Sequence, residues 1–169
     1  MSRPPLRRTA IALALVAVAL PLAACTSTVA LDPAPRADTV GCADVVVRLP
    51  STLESLSRHD TNAQGTGAWG SPASIVLTCG VTTPRVSDQN CYPVEGVDWL
   101  IDYRGDEAVY TTYGRNPGVQ VVVDTKAVPA ATNVLFDLSS AVGTLPQNRT
   151  CQGPSDIPGS PTPTATPAP

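Results

Sequence analysis

Apolar and polar positions alternate with a period of two in the middle of the chain, a pattern that is typical of β-strands. Residues 97–103 show this alternation most clearly, and residues 108–113 are rich in β-branched and aromatic side chains. The polar stretch 104–107 between these two segments predicts a hairpin turn. Shorter apolar runs at 75–77 and 119–123 predict two further strands, so the sequence predicts four strands in all.

Two other segments carry the signals of helices. Ser51 and Glu54 have the spacing of a capping box, which predicts a short first helix. Pro129 suits the first turn of a second helix, and Gly143 follows its expected end. Between the first helix and the strands, residues 59–71 are predicted to form a polar, glycine-rich loop. The second helix would bury an apolar stripe that consists of Val134, Leu135, Leu138, Ala141 and Val142.

Together these elements predict a single α+β domain, in which two helices pack on one face of a mainly antiparallel four-stranded sheet. A chain of 169 residues and 17.4 kDa has room for one small domain and its tails. We place the domain at 41–152, after a flexible linker at 25–40. The tail 153–169 is rich in proline and threonine and is predicted to be disordered, because it has too little apolar surface to bury.

The first residues carry the signals of an exported protein. Three arginines precede an unbroken apolar run at 11–20, which is too short to cross a bilayer core of about 30 Å and suits a signal peptide spanning 1–24. The segment 22–25, with the sequence LAAC, resembles the lipobox of bacterial lipoproteins. That resemblance implies cleavage before Cys25 and attachment of a diacylglycerol to its thiol. An ordinary secretory signal is the alternative, and the paired arginines leave both Sec and twin-arginine export open.

The charge of the mature chain limits its partners. The full sequence has 11 basic and 14 acidic residues, and the signal peptide contains three of the basic residues and none of the acidic ones. So acidic a chain lacks the basic surface that nucleic-acid binding requires. We therefore expect no nucleic-acid partner, and we expect the lipid on Cys25 to hold the protein at the extracytoplasmic face of the cell membrane.

Four cysteines remain in the mature chain besides Cys25, and an even number in an exported protein predicts two disulfides. Four cysteines allow three pairings, and we favour Cys79–Cys91, which closes a local loop, together with Cys42–Cys151, which would join the two ends of the domain. The absence of a Cys-x-x-Cys motif argues against a redox pair. Because the cysteines are scattered and the sequence has only 1 histidine, we expect no metal and no cofactor.

Several short motifs occur in a characteristic order after the lipobox: Cys42, Leu49-Pro50, Trp69-Gly70, 76–81, 96–99 and 112–117. Together they resemble the DUF3515 family of actinobacterial lipoproteins, and the resemblance covers Cys42 to Cys151. The function of this family is unknown. The resemblance therefore implies a protein of the cell envelope but carries over no catalytic or binding residue.

Candidate catalytic groups are few. His59 is followed by Asp60, but no nucleophile partner is apparent, and an exposed loop histidine is the simpler interpretation. Asp98 and Asp102 fall on one face of a strand about 13 Å apart, which exceeds the spacing of about 5–9.5 Å in glycosidase acid pairs. We expect these carboxylates to lie on a solvated face, and we assign no catalytic residue.

Three residues are candidates for binding. Trp69 lies between glycines and could form a platform for a ligand or partner, and Arg115, next to Tyr113 at a turn, could hold a carboxylate or phosphate. The alternatives are that Trp69 closes the edge of the core and that Arg115 pairs internally with Glu95 or Asp98. Trp99 alternates with apolar residues and is expected in the core.

These observations favour a membrane-anchored lipoprotein of the cell envelope with a non-catalytic binding or adaptor role. Its lipid would retain it at the membrane, and the surface around Trp69 and Arg115 would contact an envelope protein. An enzyme or accessory factor of cell-wall metabolism that uses Asp98, Asp102 or His59 is the first alternative. A passive structural lipoprotein is the second.

Overall fold

An antiparallel sheet of eight strands forms the centre of the fold in the computed structural model, which describes residues 28–85, 87 and 89–152. The spatial order of the strands is β1-β2-β3-β4-β8-β7-β6-β5, and every neighbouring pair is antiparallel. The elements, in chain order, are α1 (Val40–Val47), β1 (Thr52–Leu53), β2 (Leu56–His59), β3 (Thr66–Trp69), β4 (Ile75–Val81), β5 (Cys91–Val94), β6 (Val97–Arg104), β7 (Glu107–Thr112), β8 (Gly118–Asp124) and α2 (Asn133–Val142).

The α+β class, the two helices and the two disulfides are confirmed, whereas the prediction of a four-stranded sheet is wrong. The four predicted strands correspond to β4, β6, β7 and β8, which are neighbours in the middle of the sheet. The additional strands β1, β2, β3 and β5 have two to four residues each and lie on both sides of these four. Segments this short contain too few alternating positions for their period to identify them.

The segment predicted as the first helix is instead the β1–β2 hairpin. Glu54 and Ser55 have φ values of 47° and 66°, and two consecutive residues with positive φ are typical of a tight hairpin turn and incompatible with a helix. The first helix, α1, lies earlier in the chain. Its N-cap is Thr39, whose hydroxyl accepts a hydrogen bond from the backbone N–H of Cys42 at 3.4 Å.

The second helix is confirmed as α2. It buries all five residues of the predicted apolar stripe, and Gly143 is its C-cap. The helix begins at Asn133 rather than at Pro129, because residues 129–132 form a turn that precedes it. The stripe is recognisable in the sequence because its spacing follows the helical period of 3.6 residues.

Both helices contribute to one hydrophobic core on one face of the sheet. Cross-strand partners point to the same face of a sheet, so the register of the central strands brings their alternate apolar residues together. This face therefore carries the predicted core tryptophan, Trp99, together with Val119, Val121 and Val123 of β8. The core residues from the central strands are Ile75, Leu77, Cys79, Val97, Trp99, Ala108, Tyr110, Val119, Val121 and Val123.

All four cysteines of the domain are disulfide-bonded, as predicted, but the favoured pairing is wrong. Cys42 on α1 bonds to Cys79 on β4, and Cys91 on β5 bonds to Cys151 near the end of the described chain. Cys79 and Cys91 are close in sequence but lie on strands separated by β8, β7 and β6. With about 4.8 Å between neighbouring strands, their backbones are too far apart for a bond that requires Cα atoms within about 7 Å.

The described part of the predicted linker, residues 28–39, contacts the domain. Val29 forms a parallel β-bridge with Thr61, and the backbone N–H of Arg36 donates to the carbonyl of Gly80 at 3.3 Å. Gly80 has a φ of 101°, and a side chain at this position would collide with the backbone of Arg36. The chain from Val29 onward is thus part of the folded structure.

Candidate functional site

Trp69 lies on β3 and is fully buried, so the prediction that it belongs to a loop is wrong. Its Nε1–H donates to the carbonyl oxygen of Pro50 at 3.0 Å. The guanidinium carbon of Arg58 lies 6.0 Å from the centre of the ring, at the outer limit of a cation–π contact. This placement favours the alternative role of Trp69, in which it closes the core and does not contact a ligand directly.

Arg115 is also an internal residue, with only 4% of its surface exposed. Its Nη1 donates to the carbonyl oxygens of Leu145 and of Gly143, the latter at 3.3 Å, and both carbonyls lie just after α2. Its Nη2 donates to the carbonyl of Gly96 at 2.7 Å and to Oε1 of Gln147 at 3.2 Å. Because the protein itself occupies these donors, Arg115 holds the β5–β6 turn and the end of α2 together.

Asp98 belongs to the same group of side chains and is buried, so the expectation that it lies on a solvated face is wrong. Its Oδ2 accepts hydrogen bonds from Nε2 of Gln147 and from the backbone N–H of Cys151, both at 3.0 Å. Burial lowers the pKa of Arg115, and the nearby charge of Asp98 opposes this shift. We call Arg115, Gln147 and Asp98 the Arg115 network.

The remaining predicted residues occupy separate places. Asp102 forms a surface ion pair with Arg104 at 2.8 Å, away from the buried Asp98. The hydroxyl of the half-buried Tyr113 donates to the carbonyl of Arg85 at 3.3 Å. Trp99 lies in the core as expected, and within the described residues its Nε1 has no hydrogen-bond partner. Sequence reasoning missed Gln147, because its role depends on two residues far from it in the chain.

A groove of about 750 Å³ lies beside α1, and we call it the α1 groove. One wall consists of apolar residues of the helix, and the other consists of the end of β2 and the loop that follows it. Thr66 contributes polar groups, because its buried hydroxyl bonds to the Thr61 hydroxyl at 2.7 Å. The lining residues are Ala37, Asp38, Thr39, Ala43, Val46, Val47, Leu49, Ser51, Arg58, His59, Asp60, Thr61, Ala63, Gln64, Gly65 and Thr66.

The helix wall of the α1 groove is unusually apolar for an exposed surface. Ala43 and Val47 lie at helical spacing in this wall, and Val47 is 76% exposed. Val46 is half-buried and lies beside them in the groove lining. The valines of α1 lie on more than one side of the helix, so burial of one side leaves apolar side chains exposed. This distribution of valines is the sequence signal that could have revealed the groove.

Arg58 lines the groove from the opposite wall and is half-buried. Its Nη1 donates to the carbonyl oxygens of Val46 and Leu49, both at 3.3 Å, near the C-terminal end of α1. Burial lowers the pKa of Arg58, and the charge of Asp60 opposes this shift. The described residues offer its second terminal nitrogen no side-chain or backbone acceptor, so Arg58 retains donor capacity toward the groove.

His59 and Asp60, the pair considered for catalysis, both line the α1 groove. His59 is half-buried, and the predicted exposed loop is a strand end, because His59 is the last residue of β2. Asp38 lines the same groove, so its ionisable side chains are those of Arg58, His59, Asp38 and Asp60. The groove thus combines an apolar wall with a wall of mixed charge and hydrogen-bonding groups.

Cys25, the predicted lipidation site, lies outside the described residues, as do the signal peptide and the tail 153–169. Within the described residues, no three His, Cys, Asp or Glu side chains come together as a metal site would need. None of the helices in that part of the chain is long and apolar enough to span a membrane.

The fold and groove define a small, disulfide-linked α+β domain with a surface cavity beside its first helix. The chain belongs to the DUF3515 family, described as proteins of unknown function, whose family model matches residues 9–150. No curated protein and no solved structure matches the chain. The α1 groove must therefore be interpreted from its own chemistry.

Proposed function

We propose that this chain is a lipid-anchored binding protein of the extracytoplasmic membrane face, and that it holds an amphipathic ligand in the α1 groove without transforming it. The observation that carries this proposal is the contrast between the two walls of the groove. The apolar side chains of α1 match an acyl chain, and the polar wall around Arg58 matches a hydrogen-bonding head group. The volume of about 750 Å³ lies within the range of small-molecule sites.

The path of the chain before the domain supports a ligand from the membrane. Val29 pairs with Thr61, and Thr61 lines the α1 groove. Cys25 precedes Val29 by four residues, a span of at most about 14 Å when fully extended. A lipid on Cys25 would therefore hold the groove next to the bilayer surface, where amphipathic molecules are abundant.

The burial of Trp69 and Arg115 moves the proposed binding surface away from these two residues. An adaptor role for an envelope protein remains part of the proposal, with the groove and its ligand as the contact. A passive structural lipoprotein would not need an exposed valine stripe beside a groove of this size. The exposed α1 wall therefore favours binding over a passive role.

The ligand can be identified by lipid analysis of the full chain. The protein is extracted from its own membranes in mild detergent, and non-covalently bound lipids are released and quantified by mass spectrometry. Val47→Asp places a charge on the apolar wall, and we expect at least a tenfold loss of bound lipid. Tyr103→Asp is the matched control, because it changes a similarly exposed apolar residue outside the groove. Equal lipid in both variants would contradict the proposal.

The anchor itself has a separate test. Cys25→Ala removes the thiol that would receive the diacylglycerol, so we expect the protein to leave the membrane fraction or to remain uncleaved. Metabolic labelling with a clickable fatty acid measures acylation directly. Labelling that persists in the variant would argue against lipidation at this cysteine, whatever the outcome for the groove.

One observation favours the enzymatic alternative, namely that His59 and Asp60 face the same groove. His59→Gln keeps a hydrogen-bonding side chain of similar size but cannot act as a general base. A binding protein should carry the same lipids with and without this change. A lipid species that accumulates only in the variant would identify a substrate and replace binding with catalysis.

A further inference from the structure

A second cavity, of about 340 Å³, lies between the β5–β6 hairpin and α2, and we call it the aromatic groove. Tyr92 and Tyr103 line it from the sheet, and Thr132 and Leu135 line it from the helix. No charged residue lines this groove. It is therefore suited to an uncharged, partly apolar occupant.

The aromatic side chains at this site are exposed to an unusual degree. Tyr92 is 49% exposed, Tyr103 is 68% exposed, and Phe136, one helical turn after Thr132, is 51% exposed. Phe136 is the only phenylalanine of the chain. Two exposed tyrosines in one cavity, with an exposed phenylalanine one turn along α2 from Thr132, form the kind of exposed patch that marks an interaction site.

The described chain ends at the edge strand β5, whose other face lines this groove. Cys151 is bonded to Cys91, whose neighbour in β5 is Tyr92. The backbone N–H of Cys151 is further held by the carboxylate of Asp98 at 3.0 Å. Cys91 and Asp98 share the face of the sheet opposite Tyr92, so the disulfide fixes Cys151 on the other side of the edge strand β5 from the aromatic groove. A segment that follows Gln152 has to pass around this one edge strand to reach the groove.

The sequence after Gln152 has the composition that aromatic grooves recognise. It ends in PTPTATPAP, and residues 157–168 contain no charged side chain. Alternating prolines favour the extended polyproline II conformation, and segments of this kind dock into grooves lined by aromatic residues. We propose that the proline-rich tail 153–169 docks into the aromatic groove of its own chain.

The alternative mode, in which the tail adds a strand to the edge of the sheet, is disfavoured by both partners. β5 is the edge strand and contains Pro93, which has no backbone N–H to donate. The tail is equally poor in donors because of its own prolines. Recognition must then come from contacts of the proline rings with Tyr92 and Tyr103 and from hydroxyl donors to tail carbonyls.

The length of the tail permits this contact within one chain. Pro161 follows Cys151 by ten residues, which corresponds to about 31 Å in the polyproline II conformation. Along β6, Tyr103 lies three residues beyond Leu100, the partner of Cys91, a distance of about 10 Å. Tethering also raises the local concentration of the tail to the millimolar range, so even weak contacts suffice.

Photocrosslinking of the full chain in its own membranes tests this proposal. Phe136 is replaced by p-benzoylphenylalanine, a photoreactive analogue that keeps the aromatic ring, and crosslinked peptides are identified by mass spectrometry after irradiation. We expect a crosslink to residues 153–169 in a protein that still migrates as a monomer. A crosslink to lipid, to another protein or to the tail of a second copy would overturn the proposal, as would no crosslink at all.

Two matched controls make the result specific. The same photoreactive residue at Val47, in the α1 groove, should not reach the tail. Replacing Pro161, Pro163 and Pro167 by alanine should lower the crosslink yield at position 136 at least tenfold, whereas replacing Thr162 and Thr164 by alanine should leave it within twofold. Equal yields in both tail variants would show that proline recognition is not involved and would overturn the proposal.

Discussion

Arg115 and Arg58 are two partly or fully buried arginines that the structure uses in opposite ways. Arg115 donates from both terminal nitrogens to protein acceptors and is almost completely enclosed. Arg58 donates from one terminal nitrogen to carbonyls at the end of α1 and is one of the residues that line the α1 groove. In both residues, burial lowers the pKa. Burial alone therefore does not identify a ligand site, whereas donor capacity that remains on a residue lining a groove does.

The largest expected effect concerns the enclosed arginine. Arg115→Ala leaves the carbonyls of Gly96, Gly143 and Leu145 without their donor in a buried place, so we expect the free energy of unfolding to fall by about 3 kcal/mol or more. Urea denaturation of the full chain measures this change. Arg104→Ala is the control, because its ion pair with Asp102 is on the surface and should contribute less than about 1 kcal/mol. Similar losses of unfolding free energy in both variants would show that the enclosed arginine contributes no more to stability than the surface arginine.

The next effect concerns the residue that links the two charges of the Arg115 network. Gln147→Ala removes the amide that accepts from Arg115 and donates to Asp98. We expect a loss of about 2 kcal/mol, since two partly buried hydrogen bonds to charged groups disappear. Thermal unfolding monitored by circular dichroism checks this expectation. Gln152→Ala serves as a control at an exposed glutamine nearby, and a loss there as large as that at Gln147 would count against the network.

Trp69→Phe tests the core residue that lies beside the Arg58 guanidinium. The substitution keeps an aromatic ring in the core but removes the Nε1–H bond to Pro50 and weakens the contact with the Arg58 guanidinium. We expect a loss of about 1 to 2 kcal/mol in the free energy of unfolding. Because this residue supports Arg58 without lining the groove, bound lipid should fall only about twofold. Complete loss of lipid with unchanged stability would instead make Trp69 a contact residue.

The smallest effect on stability is expected at Arg58 itself. Arg58→Lys keeps the charge but loses the planar group that reaches two carbonyls, and the half-exposed position limits the change to less than about 1 kcal/mol. The lipid bound in the α1 groove should nevertheless fall about fivefold or more, as measured by lipid mass spectrometry. Arg48→Lys, at the exposed end of α1, is the control. A reversed ranking, with a large stability loss and unchanged lipid, would assign Arg58 to the scaffold.

Local patterns in the sequence account for the centre of the fold. The alternation at 97–103 and the turn at 104–107 correspond to β6 and its hairpin with β7. The helical stripe from Val134 to Val142 is buried in α2 as expected. These elements are long enough for their period to identify them, and each depends only on residues near it in the chain.

The errors have a common physical origin. The capping-box spacing at Ser51 predicted a helix, but the segment forms a hairpin whose turn has two residues with positive φ. Trp69 was predicted in a loop, but it belongs to the short strand β3 and is buried in the core. Neither segment is long enough to specify its own conformation, so contacts with neighbouring strands decide it. The candidate site was missed for the same reason, because the α1 groove combines residues from α1, β2 and a loop that only the fold brings together.

By itself, the sequence determined the α+β class, the central strands, the second helix, the disulfide state of four cysteines and the membership in DUF3515. The tertiary structure decided which cysteines pair, whether Trp69 and Arg115 face a ligand or the interior, and where a groove forms. The physical reason is the sequence distance over which each signal acts. Periodicity and turn chemistry depend on a few neighbouring residues, whereas the order of strands in the sheet brings together residues that are far apart in the chain. Burial, hydrogen-bond partners and grooves follow from that order.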